Sequence, residues 1–518
     1  MVRGDDGSRR RGAGYEGEWE PLISELEVRQ RTARAMGNPA KLAARHADGR
    51  LDARQRIDAL CDPGTFRELG TLVGSVARGT TAATPADALV AGMGAIDGRM
   101  VLVGSEDFTV QGGSIGLGAH AKRVRLATLA ARERVPLVML LEGAGERVSN
   151  ALERYPYAPN DLQALAELSG RVPSVAVVMG PSAGHGALTA PLMDWVVMVE
   201  GAALFAAGPP LVAAATGEEV DKESLGGTAV HVHQSGVAHN AAASDLEALA
   251  LVRRYLGYFP ANAWQRPPRV ASDDGPRELE ELLQIVPPNS RKPYDMRAVI
   301  DRLADDASVL EIQPSWGASV LTTLIRLAGR PVAVVANQPC VRAGAIDSDA
   351  ADKAAHFLEV ADAFHLPVVF LADNPGVSAG SAAERDGVLR HAARMYAAQA
   401  RLRGPKFHVT LRKAYGFGSS LMSMNPFDGQ TLTLAFPGAS LGAMPAIGAG
   451  AAAGADAATR DQLQAEETGG PWSSADTLGY DEVIDPRNLR NALLDGLRLA
   501  SNRDDESPGP ARHAGIRP

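Results

Sequence analysis

The chain has 518 residues, enough for two or more domains that each bury a core, and its 45% hydrophobic and 22% charged residues are ordinary for a globular protein. A net charge of −9 argues against a nucleic-acid coat or a basic membrane-surface protein. Two cysteines exclude a disulfide framework and a cysteine-type zinc site. The long apolar region at 174–216 is interrupted by prolines and charges, so we expect a buried core there and a soluble cytoplasmic protein.

The chain divides by composition into four segments. Residues 1–20 are charged and rich in glycine, which predicts a disordered N-terminus. Residues 21–270 form the predicted first domain, beginning with an amphipathic helix over about 20–60. Residues 271–295 are rich in proline and charge, which is typical of a linker. Residues 296–518 form the predicted second domain. The apolar positions of the first helix are Leu22, Leu26 and Val28.

An internal repeat connects the two domains. Identical or similar residues recur 231 positions apart over nearly fifty residues, which indicates one structural unit used twice. The matching pairs are Gly98 with Gly329, Gly113 with Gly344, Lys122 with Lys353, Pro136 with Pro367, Glu142 with Asp373, and Gly145 with Gly376.

Strands and helices alternate in both copies. Apolar runs predict strands, and an alanine-rich stretch with charges predicts one helix in each copy. Strands that end in glycine turns and alternate with helices imply a layered α/β fold. In the first copy the predicted strands are 101–103, 136–141 and 175–179 and the helix is 119–134; in the second the strands are 332–336, 367–371 and 407–411 and the helix is 350–364.

A glycine turn follows the third strand of each copy. Gly184 and Gly186 stand in the first turn, and Gly416 and Gly418 stand in the second. Backbone N–H groups at a helix start have no partner within the helix, and glycine lets a ligand approach them closely. Two such turns predict oxyanion sites for two carbonyl compounds. The alternative is a tight turn needed only for packing.

Other polar motifs have competing interpretations. Residues 180–184 fit the G-x-S-x-G nucleophile elbow with Ser182 as nucleophile, but the second copy has Ala414 at the matching position. The three histidines at 231, 233 and 239 suggest a metal site, yet no carboxylate or cysteine completes the set.

Charged residues near the strand ends also leave alternatives open. Glu142, Glu146 and Asp373 suit acid–base chemistry or helix capping, and we favour capping. The basic clusters at 122–125 and 406–413 suit phosphate binding, but more often such clusters solvate a helix face.

From about Leu51 to the C-terminus the chain resembles the carboxyltransferase (β) subunit of biotin-dependent acyl-CoA carboxylases. Many specific matches in the right order make chance an unlikely source of the resemblance. They are SEDFTVQGGS (105–114), TGEEV (216–220), LGG (225–227), SGVAH (235–239), IVP (285–287), PYDM (293–296), ANQP (336–339), DNPG (373–376) and RKAYG (412–416).

The resemblance implies an α/β fold of two duplicated crotonase-like βαβ superhelix domains and a hexameric ring, a dimer of trimers. It also implies transfer of a carboxyl group from carboxybiotin to the α-carbon of an acyl-CoA through a thioester enolate, with no metal, nucleic acid or membrane. No Met-Lys-Met biotin attachment motif is visible, so biotin carboxylation and carriage are expected from a separate α subunit. The implied catalytic residues are Gly184, His185, Gly186, Gly416, Phe417 and Gly418, and the implied substrate-binding residues are Gly112, Gly113, Ser114, Gly145, Arg147 and Ser420.

Two departures from the resembling family lie in the first half. Its Gly-Gly in the first turn is Gly184-His185 here, and its Ser-Gly-Gly-Ala-Arg is GAGER at 143–147, which adds Glu146. Ser420 falls where that family sorts acyl chains by size. The identity of the acyl-CoA therefore cannot be copied from any one relative. A decarboxylase subunit of a sodium-pumping complex is an alternative to the carboxylase, and so is a paralogous ring subunit without activity, with which His185 and Glu146 are consistent.

Overall fold

The computed structural model describes residues 15–75, 83–148, 161–425, 427–442, 454, 456–505, 508–511 and 516. Three helices precede the first sheet: α1 (Glu16–Arg34), α2 (Pro39–Ala47) and α3 (Ala53–Leu60). Residues 16–20 are therefore helical, so the disorder predicted over 1–20 is wrong for them, while 1–14 lie outside the described residues. Among the described residues, no helix has the length and apolarity needed to cross a membrane.

The single helix predicted over 20–60 is wrong because two helix starts interrupt it. The Asn38 side chain accepts from Ala40 N at 2.8 Å with Pro39 as the first helical residue, and Asp52 forms a capping box with Gln55. The apolar side chains of α1 face solvent in this chain. Those that are more than two-fifths exposed are Trp19, Leu22, Ile23, Leu26 and Val28.

The first half contains a mixed sheet ordered β1-β2-β3-β4-β5-β7-β9, in which β1, β2 and β3 pair antiparallel and the rest pair parallel. The parallel strands bury both faces, as crossover helices require. The strands are β1 (Arg67–Glu68), β2 (Leu89–Ile96), β3 (Arg99–Glu106), β4 (Leu137–Leu141), β5 (Ser174–Val178), β6 (Pro181–Ala183), β7 (Trp195–Val199), β8 (Ala203–Phe205) and β9 (Asn240–Ala242), and β6 pairs with β8 separately. The helices are α4 (Leu117–Glu133), α5 (Asp161–Ala166), α6 (Gly184–Leu188), α7 (Pro209–Thr216), α8 (Lys222–Gly226), α9 (Thr228–His231) and α10 (Asp245–Leu256).

The second half contains a sheet ordered β10-β11-β12-β13-β14-β15-β17, with β16 beside the end of β14. Its strands are β10 (Leu310–Ile312), β11 (Val320–Leu327), β12 (Arg330–Asn337), β13 (Val368–Asn374), β14 (Lys406–Tyr415), β15 (Leu432–Ala435), β16 (Ser440–Gly442) and β17 (Glu482–Val483). Its helices are α11 (Leu282–Ile285), α12 (Met296–Leu303), α13 (Ser348–Ala363), α14 (Ser381–Arg385), α15 (Val388–Ala400), α16 (Gly416–Leu421), α17 (Ala457–Thr468), α18 (Trp472–Asp476) and α19 (Leu489–Leu499).

The repeat predicted from the sequence is present in the backbone. Strands β2 and β3 start and end 231 positions before β11 and β12. The isolated bridge between Ile115 and Glu146 recurs between Ile346 and Val377 at the same offset. The two halves are therefore copies of one βαβ arrangement.

A buried lysine anchors the long helix of each copy. Lys122 Nζ donates to Ala86 O at 2.8 Å and to Leu89 O at 2.7 Å, and Lys353 Nζ donates to Gln313 O at 2.9 Å and Trp316 O at 2.8 Å. Burial lowers the pKa of Lys122 to about 8 and that of Lys353 to about 7. The interpretation of the basic clusters as solvated helix faces is wrong for the cluster residues that lie buried, which are Lys122, Arg123, Lys406 and Arg412.

One hydrophobic cluster extends across both halves. The His239 and His356 rings stack across the junction with centroids 5.0 Å apart, and Phe259 packs on Phe364 at 5.6 Å. Burial and the neighbouring His356 lower the pKa of His239 well below its usual value. The predicted linker over 271–295 contains α11 and buries Leu282 in the core of the second half. The domain boundaries remain predictions.

Asp194 at this junction gives the stability a pH dependence. Its Oδ2 accepts from Ser174 N at 2.7 Å, and burial raises its pKa from 3.8 to about 7. A carboxyl group whose pKa is higher in the folded state than in the unfolded state stabilises the fold fully at pH values below its unfolded-state pKa. This stabilisation is lost as the pH rises through the folded-state pKa. Between about pH 5 and about pH 8 we expect the thermal midpoint of wild type to fall by ~2 °C relative to that of Asp194→Asn. A constant difference between the two proteins across this range would contradict the assignment.

Candidate functional site

Three loops meet at the carboxyl ends of β3, β4 and β5. Ala144 N donates to Gly112 O at 3.0 Å, and Ile115 N donates to Gly145 O at 2.8 Å. Ala183 N donates to Gly143 O at 3.0 Å, which joins the third loop to the second. The structure thus brings the predicted residues of the first half together at one edge of the sheet.

Glycine is required in these loops for two different reasons. Gly113 and Gly145 have φ of +68° and +83°, and a Cβ would overlap Glu142 O at Gly113 and lie 2.7 Å from Ala183 O at Gly145. Gly184 has φ of +56°, but its nearest neighbour to a Cβ is Ala206 O at 3.7 Å. At Gly184 the left-handed backbone conformation favours glycine, and the space beside it stays open.

Ser114 and Arg147 hold the loops to each other. Arg147 Nη2 donates to Ser114 O at 2.9 Å, and its Nη1 donates to Asp87 Oδ1 at 2.6 Å. The Ser114 hydroxyl donates to Gln111 O at 2.7 Å. Both predicted substrate-binding side chains therefore already have intramolecular partners that position the site.

The second turn lies beside a cleft. Gly416 has φ of +57°, matching Gly184, and a Cβ on Gly418 would lie 2.7 Å from Asn374 Oδ1. Phe417 is half exposed, and Ser420 Oγ donates to Asn425 Oδ1 at 2.8 Å. A cleft of about 1060 Å³ adjoins the turn; Pro375, Lys413, Tyr415, Ser440 and Trp472 are among its lining residues.

Buried ion pairs close the ends of the middle strands. Glu142 accepts from Arg56 at 2.6 Å and from Arg50 at 3.1 Å, and Asp373 accepts from Arg412 Nε at 2.6 Å. Burial opposes ionisation of Glu142, but the arginines led by Arg56 outweigh it and hold its pKa below the usual value. These carboxylates pair with arginines and do not cap the next helix, so the capping interpretation is wrong for them.

A histidine cluster lies against the first turn. His185 Nε2 hydrogen-bonds to Asp161 Oδ1, and His120 Nε2 lies 2.9 Å from Glu146 Oε2. Arg123 Nε donates to Asp161 Oδ2 at 2.6 Å. Sequence reasoning singled out His185 and Glu146 as departures from the family but missed His120 and Asp161, because no spacing rule connects α4, α5 and α6.

The two rejected sequence motifs do not assemble sites. Ser182 is fully buried, and its Oγ has no hydrogen-bond partner among the described residues, so it has neither access nor a base. His239 is buried on His356, while His231 Nε2 faces Leu204 O at 2.6 Å.

Residues 44–514 match the family model described as the carboxyl transferase domain. The chain belongs to the carboxyl transferase family. The predicted family, enzyme class and duplicated crotonase-like α/β fold are therefore confirmed.

Named relatives cover almost the whole chain. The methylmalonyl-CoA decarboxylase subunit alpha of Veillonella parvula is 35% identical over 495 residues, with 94% of this chain and 97% of the relative covered. The propionyl-CoA carboxylase carboxyltransferase subunit of Haloferax mediterranei is 34% identical over 505 residues, with 94% and 98% covered. The transcarboxylase 12S structure, described as a hexamer with methylmalonyl-coenzyme A and methylmalonic acid bound, has a TM-score of 0.89 at 31% identity and covers 98% of this chain and 100% of that one.

Gly113→Ala tests the packing of the three loops. A left-handed alanine costs ~1–2 kcal/mol, and overlap of its Cβ with Glu142 O adds to that cost. Gly201→Ala is the matched control, because Gly201 has φ of +75° and nothing lies within 4 Å of its Cβ position. We expect Gly113→Ala to lower the thermal midpoint clearly more than Gly201→Ala. Equal losses would show that the loops do not pack as described.

Proposed function

We propose that this chain is a carboxyltransferase subunit that transfers a carboxyl group between carboxybiotin, carried on a separate chain, and the α-carbon of an acyl-CoA. The observation that carries the proposal is the duplicated turn: Gly184 and Gly416 have nearly equal φ, +56° and +57°, and each begins a short helix directly after a strand. Two oxyanion sites are what a reaction between a thioester and a urea requires.

The first turn binds the thioester in this proposal. The N–H groups at the start of α6 stabilise the thioester oxygen as it becomes an enolate oxygen, and the open space beside Gly184 admits it. Gly112, Gly113, Ser114, Gly145 and Arg147 shape the floor of that site through their contacts with one another. Orientation and electrostatic stabilisation supply the catalysis, since no described side chain near the turn is an exposed nucleophile with a base.

The second turn binds the ureido group. Gly416, Phe417 and Gly418 present the N–H groups at the start of α16, and the adjoining cleft has apolar walls at Pro375 and Trp472. Lys413 lines the same cleft and offers a cation for a carboxylate. Biotin, when bound, supplies the carboxyl group and the nitrogen that accepts the α-proton.

Assembly and partners follow from the same proposal. A biotin carboxylase and biotin carrier α subunit supplies carboxybiotin, and the chain forms a hexamer in the cytoplasm. The exposed apolar side chains of α1 suit burial against another subunit, because contiguous exposed apolar surface marks interaction sites. The transcarboxylase 12S relative is described as a hexamer.

A decarboxylase is the second candidate. The Veillonella parvula relative carries that name at 35% identity, much as the carboxylase relatives do at 34–35%. The two turns would suit carboxylation and decarboxylation equally. Which acyl-CoA is used, and in which direction the reaction runs, therefore depends on the partner subunits.

The reverse half-reaction tests catalysis without the partner. Purified full-length chain is mixed with methylmalonyl-CoA or malonyl-CoA and free biotin, and loss of the carboxyl group is followed by chromatography of the CoA esters. We expect decarboxylation that depends on biotin. An intact oligomer with no turnover of either ester would favour the non-catalytic ring subunit.

Two variants distinguish this reaction from hydrolysis. In Gly418→Ala the new Cβ would lie 2.7 Å from Asn374 Oδ1; the resulting displacement of the turn is expected to reduce the rate ~10²-fold. Ser182→Ala is expected to leave the rate unchanged because Ser182 is fully buried. A hydrolase would instead release free CoA thiol at a rate that does not depend on biotin, and Ser182→Ala would abolish that release.

A further inference from the structure

We propose that His120, Asp161 and His185 form a binding site for a divalent transition-metal ion at the first turn. One ligand atom from each of the three side chains lies within 4.8 Å of the other two. Two imidazoles and a carboxylate are a ligand set that suits Zn²⁺ and related ions, with further coordination positions left open.

His120 is oriented for ligation. The Glu146 carboxylate lies 2.9 and 3.1 Å from His120 Nε2, which places the proton on Nε2 and leaves the lone pair on Nδ1. Nδ1 is buried and has no hydrogen-bond partner among the described residues. It lies 3.9 Å from Asp161 Oδ1, too far for a hydrogen bond. Two ligand atoms that each lie ~2.0–2.2 Å from one ion can have this separation.

Asp161 has one carboxylate oxygen committed to a guanidinium and one directed at the histidines. The residue is fully buried, and its Oδ1 accepts a hydrogen bond from His185 Nε2, whose proton a bound ion would replace. Arg123 occupies Oδ2, so Oδ1 is the oxygen that faces the two imidazoles.

The charge balance of the cluster favours a cation. Asp161 and Glu146 bring two carboxylates, while Arg123 is shared between Asp161 and Glu106 Oε1 at 2.8 Å. A divalent ion would offset the remaining negative charge. An ion would enter beside His185, because its side chain is 21% exposed whereas His120 and Asp161 are buried.

The chemical consequence rests on the proposed function, although binding itself does not. His185 stands between the two glycines of the first turn, so the ion would lie next to the turn that binds the thioester in the proposed function. There the ion would act as a Lewis acid that polarises the carbonyl group together with the backbone N–H groups.

Metal titration of the full-length chain tests the site without any acyl-CoA or biotin. Protein stripped with a chelator is titrated with Co²⁺, whose visible absorption reports nitrogen coordination, and retained Zn²⁺ is measured by elemental analysis after desalting. We expect one equivalent per chain, lost in both His120→Asn and His185→Gly. Glu146→Gln is expected to weaken binding ~10–100-fold, because it loosens the support of His120.

His46→Asn is the matched control. His46 forms a separate histidine–carboxylate pair, with Nε2 2.9 Å from Asp52 Oδ2 and its side chain 43% exposed. Binding by this variant should equal that of wild type, and thermal unfolding confirms that each variant is folded. If His120→Asn fails to fold because His120 is more buried, His185→Gly still tests the site, since it places the smallest residue at a partly exposed position.

Failure of this proposal is distinguishable from failure of the carboxyltransferase proposal. No retained metal in wild type, or equal retention in wild type, His120→Asn and His185→Gly, overturns the metal site. Either result leaves the biotin-dependent reaction to be judged by its own assay. Conversely, stoichiometric metal binding in a chain with no turnover upholds the site and rejects its catalytic use.

Discussion

A buried carboxylate at the end of the middle strand of each half is the interaction on which the rest of the structure depends. Glu142 pairs with Arg45 on α2, Arg56 on α3 and Arg50 in the loop between them, and Arg56 also donates to Met179 O just before the first turn. Asp373 holds Arg412, whose Nη1 donates to the backbone of the loop over 287–292. Removing one partner of such a buried pair typically costs ~3–5 kcal/mol, so each turn is fixed by charge pairing behind it.

The two halves repeat the backbone but not the side chains. At the offset of 231, His120 and Glu146 correspond to Ala351 and Val377, and His185 corresponds to Phe417 at the offset that aligns the two turns. The left-handed backbone conformation recurs even where the second half has no glycine: Ala343, which corresponds to Gly112, has φ of +55°. The duplicated frame therefore supplies equivalent N–H groups, while the surrounding side chains give each turn a different chemistry.

Sequence reasoning succeeded where the signal was local and failed where it was not. Apolar runs predicted β4, β5, β12 and β13 because a buried parallel strand needs a continuous apolar segment. The glycine turns were predictable because the repeat identifies them twice. Burial of the charged side chains on α4 was not predictable, because a basic residue on a helix looks the same in sequence whether it meets solvent or a buried carboxylate. The contact between His120, Asp161 and His185 exists only after three helices from separate parts of the first half converge.

The shared core has a consequence for how the protein arose and how it can be altered. Residues from both halves form one continuous hydrophobic cluster, with His239 and His356 stacked at the seam. Each half therefore buries part of its apolar surface against the other. A chimaera that takes one half from a relative must therefore also take compatible residues where the two halves contact each other. The two turns are consequently inherited together, although the side chains around them differ.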